Sequence, residues 1–397
     1  MLAKLAWRAV SGLSPRIAWK AARLYAWKGA KAIRAHRERL ARDELYPPFM
    51  LIALTNACNL RCHGCWIGKD GTPHALAPED VDRIIATGKE HHAHYYILLG
   101  GEPFLFPQLG EVFERHPDCY FQIITNGMLF TDDNVLRMRK AGNVTPLVSL
   151  DGWQGENDRR RGEGVYRAAL AGLDRLREAK LLFGIATTVT GRNLDEVTSD
   201  EYVRLLMDKG AMYLWYYVFR PMGPNPDPEY CVGKGQLLRL RERLLELRRR
   251  HPILIIDTYW TATGEALCPA AVGLGFHIGP QGGIEICPAL SFACDTIRDQ
   301  DGDLFRTINQ SAFLRGFSGF VDQRTRGCVI LEHPQELRNY LRRHQAHDTS
   351  GRGTALAELL ALTPRASHHL PGHEIPEDLW LYRLLKKNLF FGMGAYG

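Results

Sequence analysis

The chain has 397 residues, of which 45% are hydrophobic and 24% are charged, and its formal net charge is +6. This hydrophobic fraction excludes a disordered chain, and the length excludes a small disulfide-stabilised scaffold. The length instead indicates one large domain with one or two smaller ones.

The positive charge is concentrated at the N-terminus. Residues 1–44 contain eleven Lys or Arg and three Asp or Glu, a net charge of +8, whereas the rest of the chain carries −2. Ser14 suits a helix N-cap, Pro15 suits the first helical position, and no proline follows before about Ala41, so a long helix is predicted. One face of this helix carries five basic residues and one tryptophan at successive steps of three or four positions: Arg16, Lys20, Arg23, Trp27, Lys31 and Arg34.

Two interpretations of this segment remain open. One is a helix that lies on an anionic membrane surface, anchored by Trp7, Trp19 and Trp27. The other is a helix packed on the body with a solvated basic face. A basic residue every few positions excludes a spanning helix, and no apolar signal-peptide region is present, so a cytoplasmic protein is expected, with peripheral contact at the inner membrane face as the alternative. The aromatic residues form no nucleic-acid-binding module, so no nucleic acid partner is expected.

The strongest signal is a run of cysteines. The chain has nine, an odd number, which favours metal or redox chemistry over a disulfide framework. Cys58, Cys62 and Cys65 follow an apolar segment, residues 49–54, that reads as a buried strand. Three soft thiolates on one loop suit an iron–sulfur cluster, and a structural zinc would need a fourth ligand nearby. A zinc knuckle is the alternative.

A second motif ends the next apolar segment. Residues 95–99 are predicted as a strand, and Gly100, Gly101, Glu102 and Pro103 follow it, beginning 35 residues after Cys65. Such a turn offers bare backbone and one carboxylate at the ligand-facing end of a β/α unit.

Further strands alternate with helices along the chain. Residues 121–124, 144–150, 182–190 and 213–219 are predicted as strands, which gives six β/α units over about residues 49–220 and a parallel sheet.

A second set of cysteines lies in a region poor in long helices. It comprises Cys268, Cys287, Cys294 and Cys328. Glycines at 279, 282 and 283 predict a hairpin whose return strand ends at Cys287. Four thiolates suffice for one [4Fe–4S] cluster, and zinc bound by the same four is the alternative.

Taken in order, these motifs resemble the radical S-adenosylmethionine (radical SAM) superfamily. The resemblance implies a partial (β/α)6 TIM-type barrel. It also implies that Cys58, Cys62 and Cys65 hold a [4Fe–4S] cluster whose open iron binds SAM. The residues that it assigns to SAM are Gly100, Gly101, Glu102 and Pro103 at the amino group, Ser149 and Arg161 at the ribose and carboxylate, His63 beside the adenine, and Asn126 and Thr188 at neighbouring strand ends. It identifies no catalytic acid or base.

The spacing Cys268-x13-Gly282-x4-Cys287 is similar to the opening of the cysteine-rich SPASM extension of many radical SAM enzymes. Only two further cysteines follow, so the shorter "twitch" form with one auxiliary [4Fe–4S] cluster is expected.

The resemblance implies reductive cleavage of SAM to a 5′-deoxyadenosyl radical and hydrogen abstraction from a substrate, with an electron donor such as flavodoxin or ferredoxin. The expected substrate is a peptide or protein side chain. One alternative is a membrane lipid or other amphiphile reached through the basic segment, and another is a non-enzymatic binding protein stabilised by zinc or a cluster.

The predicted organisation has four parts. They are a basic amphipathic helical arm (1–48), the partial barrel (49–225), a linker helix with the auxiliary-cluster domain (226–335) and a C-terminal helical segment (336–397).

Overall fold

The computed structural model describes residues 2–68, 72–224, 226–274 and 276–389. Its sheet contains seven parallel strands in chain order: β1 (Met50–Thr55), β2 (Tyr95–Gly100), β3 (Tyr120–Thr125), β4 (Val144–Ser149), β5 (Gly184–Val189), β6 (Tyr213–Val218) and β7 (Leu254–Ile256). Four further strands extend the sheet beyond β1: β8 (His277–Ile278), β9 (Gly283–Cys287), β10 (Leu290–Thr296) and β11 (His347–Asp348). β8 is parallel to β1, and each later pair in this series is antiparallel.

Helices precede, connect and follow these strands. The N-terminal ones are α1 (Leu2–Gly12), α2 (Pro15–Lys20), a π-helical segment (Ala21–Trp27) and α3 (Lys28–Leu40). The barrel helices are α4 (Pro78–Glu90), α5 (Leu109–Arg115), α6 (Asp132–Ala141), α7 (Gln154–Arg161), α8 (Val165–Glu178), α9 (Leu194–Val197), α10 (Asp200–Asp208) and α11 (Lys234–Arg250). The remainder are α12 (Leu304–Gln310), α13 (Ala312–Asp322), α14 (Val329–Glu332), α15 (Pro334–Arg343), α16 (Ala355–Leu360) and α17 (Trp380–Asn388).

The parallel strands are buried on both faces, as a sheet between helices and a barrel lumen requires. Alternate residues such as Ile97, Leu147 and Trp215 pack in the lumen, whereas their neighbours pack against the helices. Every residue of β4 is buried. The predicted partial (β/α)6 barrel is therefore confirmed, and the carboxyl ends of its strands meet at one edge.

Two features differ from the sequence-based expectation. The short strand β7 adds a seventh parallel strand beside β6, and its three residues after a long helix are too few for a pattern to identify. The cysteine-rich region joins the same sheet, because β8 pairs with β1 at Leu51 and Ile52. The predicted hairpin is present, with β8 and β9 antiparallel.

The N-terminal helices cross the amino ends of the barrel strands. Ile17, Leu24 and Ala32 are buried, so these helices pack on the body, which was one of the two open interpretations. The Ser14 hydroxyl caps α2 by accepting from the Ile17 amide, as predicted for an N-cap. The π-helical turn between α2 and α3 was not predicted from the sequence, which indicated one continuous helix. Among the residues described by the structure, no helix combines the length and apolar character needed to cross a membrane.

Candidate cofactor and cluster site

The three-cysteine loop follows β1 at the carboxyl edge of the barrel. The thiols of Cys58, Cys62 and Cys65 are all half-buried. Burial raises the pKa of Cys58 to about 11. Burial also raises the pKa of Cys62, although Arg161 and Arg160 oppose that shift. Three clustered soft donors beside cationic side chains fit the thiolate ligation of an iron–sulfur cluster.

The paired glycines after β2 allow the next loop to lie directly against the cysteine loop. A Cβ at Gly100 would lie 2.1 Å from the Thr55 carbonyl oxygen, and one at Gly101 would lie 2.1 Å from that of Ala57. The Gly101 amide donates to the Thr55 carbonyl at 2.7 Å, and the Glu102 amide donates to the Ala57 carbonyl at 2.8 Å. No side chain fits at either position, so this contact requires both glycines.

The carboxylate of Glu102 is fully buried and joins two strand ends. It accepts hydrogen bonds from the Thr125 hydroxyl at 2.8 Å, the Asn126 amide at 2.8 Å and the Phe104 amide at 3.1 Å. Burial raises the pKa of Glu102, and these hydrogen bonds oppose the rise. Pro103 begins the short turn that follows. Both carboxylate oxygens therefore bind protein donors, and Glu102 braces the loop.

Asn126 connects the end of β3 to the cysteine loop. Its side-chain amide donates to the Asn59 side-chain oxygen at 2.7 Å, and its own oxygen accepts from the Met128 amide at 3.0 Å. Asn59 lies between Cys58 and Cys62 in sequence, so this bond sets the position of the loop segment between two candidate ligands.

A buried ion pair occupies the ends of β4 and β5. Asp151 accepts from Arg160 at 2.6 Å and Arg161 at 2.7 Å, and its other oxygen accepts from the Thr188 amide at 2.8 Å. Burial would raise the pKa of Asp151, but Arg161 and Arg160 hold it below its ordinary value. Ser149 is buried two residues earlier, at the end of β4. Two guanidinium groups shared by one carboxylate leave a net positive charge beside the cysteine loop.

His63 faces the segment after β6. Its Nε2 atom lies 3.1 Å from an Asp227 carboxylate oxygen, and its ring contacts Tyr230 edge to face at 5.3 Å. Nearly half of its side chain is exposed. Its assignment to the adenine of SAM stays a prediction.

Residues 52–202 match the family model described as the Radical SAM superfamily. This part of the chain is a radical SAM domain. Two curated relatives are similar to it in sequence. The AdoMet-dependent heme synthase of Methanosarcina barkeri is 33% identical over 53% of this chain and 62% of its own length. The sporulation killing factor maturation protein SkfB of Bacillus subtilis is 28% identical over 39% of each chain.

The fold is similar to that of solved structures. The structure of Streptococcus suis SuiB bound to S-adenosylmethionine has a TM-score of 0.60, 17% identity and coverage of 75% of this chain and 73% of that one. Of the two curated relatives, the chain spans 62% of the length of the heme synthase and 39% of the length of SkfB.

The radical SAM domain is followed by a cysteine-rich extension that contains Cys268, Cys287 and Cys328. Cys268 and Cys287 are half-buried and Cys328 is buried, and each of the first two thiols interacts electrostatically with Cys328. Burial raises the pKa of Cys268 to about 12. Cys287 is the last residue of β9, and the Cys328 amide donates to the Ser367 hydroxyl at 3.0 Å. The hairpin, the segment before α14 and the loop before β8 therefore bring these three thiols together.

The prediction that Cys294 completes this ligand set does not fit the structure. Cys287 pairs with Leu290 at the turn of the β9–β10 hairpin. Cys294 lies four residues further along β10, about 13 Å at the usual rise of a strand. Its thiol donates to the His344 carbonyl oxygen at 3.3 Å instead. Spacing along the chain gave no sign of this, because hairpin register decides which cysteines meet.

Sequence reasoning missed several residues of both sites. Arg220 follows β6, and its Nε atom donates to the Cys328 sulfur at 3.2 Å. Burial lowers the pKa of Arg220, but the neighbouring Cys328 and Tyr259 outweigh this effect and hold the pKa above its ordinary value. Asn59 lies between Cys58 and Cys62, and Arg160 precedes Arg161, so the residues next to them in sequence could have indicated both. Arg220 had no comparable signal.

Proposed function

We propose that this chain is a radical SAM enzyme that reductively cleaves SAM and abstracts hydrogen from a peptide or protein side chain. The observation that carries the proposal is the convergence of consecutive strand ends on one loop. The Gly100–Gly101 backbone, Asn126 and the Arg160–Arg161 pair all adjoin the loop of Cys58, Cys62 and Cys65.

We assign Cys58, Cys62 and Cys65 as the ligands of a [4Fe–4S] cluster. When bound, such a cluster supplies the electron that cleaves SAM to methionine and a 5′-deoxyadenosyl radical, which takes a hydrogen atom from the substrate. The Arg161 guanidinium, oriented by Asp151, provides positive charge for the SAM carboxylate.

The rest of the SAM site is assigned to backbone and to bracing side chains. Gly100 and Gly101 would offer backbone atoms to the SAM amino group, and Glu102 holds that backbone in place. Ser149 and Thr188 remain candidates for ribose contacts at the ends of β4 and β5.

A second, auxiliary [4Fe–4S] cluster is proposed at Cys268, Cys287 and Cys328. Arg220 would donate to the sulfur of one ligand and so offset the negative charge of the thiolates. The competing occupant is zinc. Iron and zinc content after anaerobic reconstitution separates the two, since two filled clusters require about eight irons per chain.

The proposed substrate class is supported by the names of two similar proteins. SkfB is named as a maturation protein, and one SuiB structure is described as bound to the precursor peptide SuiA. A tetrapyrrole is the second candidate, because the AdoMet-dependent heme synthase and the Fe-coproporphyrin III synthase of Methanosarcina barkeri are among the relatives.

A small reducing protein such as flavodoxin or ferredoxin is the proposed electron donor, which places the reaction in a reducing compartment such as the cytoplasm. The direct test is anaerobic incubation with SAM and dithionite. We expect 5′-deoxyadenosine from the native chain and none from Cys62→Ala. The absence of 5′-deoxyadenosine from a fully reconstituted native chain would refute the proposal.

Substrate class is tested by isotope transfer. Deuterated peptides and deuterated tetrapyrroles are supplied separately, and deuterium in the recovered 5′-deoxyadenosine is measured by mass spectrometry. Transfer from the peptide pool supports the first candidate, and transfer from the tetrapyrrole alone replaces it with the second.

A further inference from the structure

The outer face of the N-terminal helices exposes three large aromatic side chains. Trp7 is 71% exposed, Trp19 is 55% exposed and Trp27 is 54% exposed. Trp19 and Trp27 border an open apolar depression that also includes Ala22. Neighbouring exposed tryptophans such as Trp19 and Trp27 mark an interaction surface, because exposing their apolar area to water is unfavourable.

Basic side chains alternate with these tryptophans. The Arg23 guanidinium lies 5.1 Å from the Trp19 ring centre, and the Lys31 ammonium lies 3.8 Å from that of Trp27. Other exposed basic residues on the same helices are Lys4, Arg16 and Arg34. Alternating basic and aromatic side chains on a helix surface suit the interface of an anionic lipid layer, where the rings enter the headgroup region and the cations meet lipid phosphates.

The inner face of the same helices is committed to the barrel. Arg8 donates to the Ala211 carbonyl at 2.8 Å, Lys20 to that of Ala141 at 2.6 Å and Lys28 to that of Asp118 at 2.8 Å. These acceptors immediately precede β6, β4 and β3. The helices are therefore attached across the amino edge of the barrel, and only their outer face is available to a partner.

We propose that this outer face docks flat on an anionic membrane surface and holds the barrel mouth away from it. The strands between the two edges are six residues long, about 20 Å at the usual rise. The orientation rests on the proposed function, which places the reaction at the carboxyl edge. The docking itself does not depend on the proposed function. The substrate then arrives from the aqueous side, which disfavours direct modification of a bilayer lipid.

Charge favours lipid over a second copy of the chain. The exposed basic residues of these helices outnumber the exposed acidic one, Glu38, so two such faces would repel each other. An acidic membrane surface supplies the complementary charge. Self-association and nucleic acid binding are outcomes that the experiment must separate.

Docking is tested by flotation of the full-length protein with vesicles of phosphatidylcholine alone or mixed with phosphatidylglycerol. We expect binding to the anionic vesicles only, weakened by high salt. The triple variant Arg16→Gln, Arg23→Gln, Lys31→Gln should bind about a hundredfold more weakly, since each basic residue near the surface contributes roughly fivefold.

The matched control removes exposed basic residues elsewhere: Arg167→Gln, Lys234→Gln and Arg239→Gln should leave binding unchanged. Equal binding to neutral vesicles, no binding, or equal losses in the two triple variants would overturn the proposal. So would a tryptophan-dependent dimer in sedimentation without lipid, or displacement from vesicles by duplex DNA at equimolar phosphate.

Orientation is tested by fluorescence quenching with brominated anionic lipids. Trp153 follows β4 at the mouth and is partly exposed. We expect the Trp19→Phe, Trp27→Phe double variant to lose most of the quenching and Trp153→Phe to retain it. If Trp153→Phe loses as much, the mouth faces the bilayer and the proposed orientation is wrong, whereas docking itself and SAM cleavage stay untouched by that result.

Discussion

Substituting Gly101 by alanine tests how closely the two loops at the mouth depend on each other. The new Cβ would lie 2.1 Å from the Ala57 carbonyl oxygen, whereas real Cβ contacts essentially never come under 3.0 Å. The loop after β2 must therefore move by about 1 Å, and two backbone hydrogen bonds worth about 1 kcal/mol each are strained or lost. Because a displacement of about 1 Å at a reacting site can cost on the order of a hundredfold in rate, we expect SAM cleavage to fall by about that factor.

The assay is the rate of 5′-deoxyadenosine formation, with SAM affinity and iron content measured on the same preparation. Gly155→Ala is the matched control, because a Cβ at Gly155 meets no atom within 4 Å. We expect Gly101→Ala to retain most of its iron, to bind SAM more weakly and to lose turnover, while Gly155→Ala behaves like the native chain. If the two variants are indistinguishable, the contact between the loops does not position the cofactor.

Three further predictions follow from the same geometry. Cys294→Ser should retain about eight irons per chain while Cys287→Ser retains about four, measured by iron analysis after reconstitution; equal loss in both would restore Cys294 to the ligand set. Arg161→Lys should weaken SAM binding by about tenfold in equilibrium dialysis, since lysine cannot keep the Nε contact with the buried carboxylate, whereas exposed Arg159→Lys should not. Burial lowers the pKa of His36 to about 4, so the native state keeps this ring neutral while the unfolded chain protonates it near pH 6.5. The native chain should therefore lose about 2 kcal/mol of stability from this group between pH 7.5 and pH 5, and His36→Asn should remove that part of the loss in urea titrations; an unchanged pH dependence would contradict it.

The sequence was most informative where chemistry is local. The cysteine loop, the turn at Gly100 and Gly101 and the alternation of strands and helices each depend on residues within a few positions of one another. Their spacing indicated six β/α units in a parallel sheet, and the family resemblance implied the barrel at whose carboxyl edge cofactors would gather. The charge pattern of the N-terminal helices was compatible both with packing on the body and with a membrane surface, so it did not decide between them.

Only the tertiary structure decided which residues far apart in sequence are in contact. Nothing local could show that Arg220 reaches Cys328 or that Cys294 points to His344, because these contacts depend on hairpin register and on how the extension joins the barrel. Nor could charge patterning show that the N-terminal helices cover the amino edge of the strands. The concentrated positive charge is a property of the sequence, but its location opposite the barrel mouth arises only from packing, since the same helix could have been attached to any apolar surface of the body.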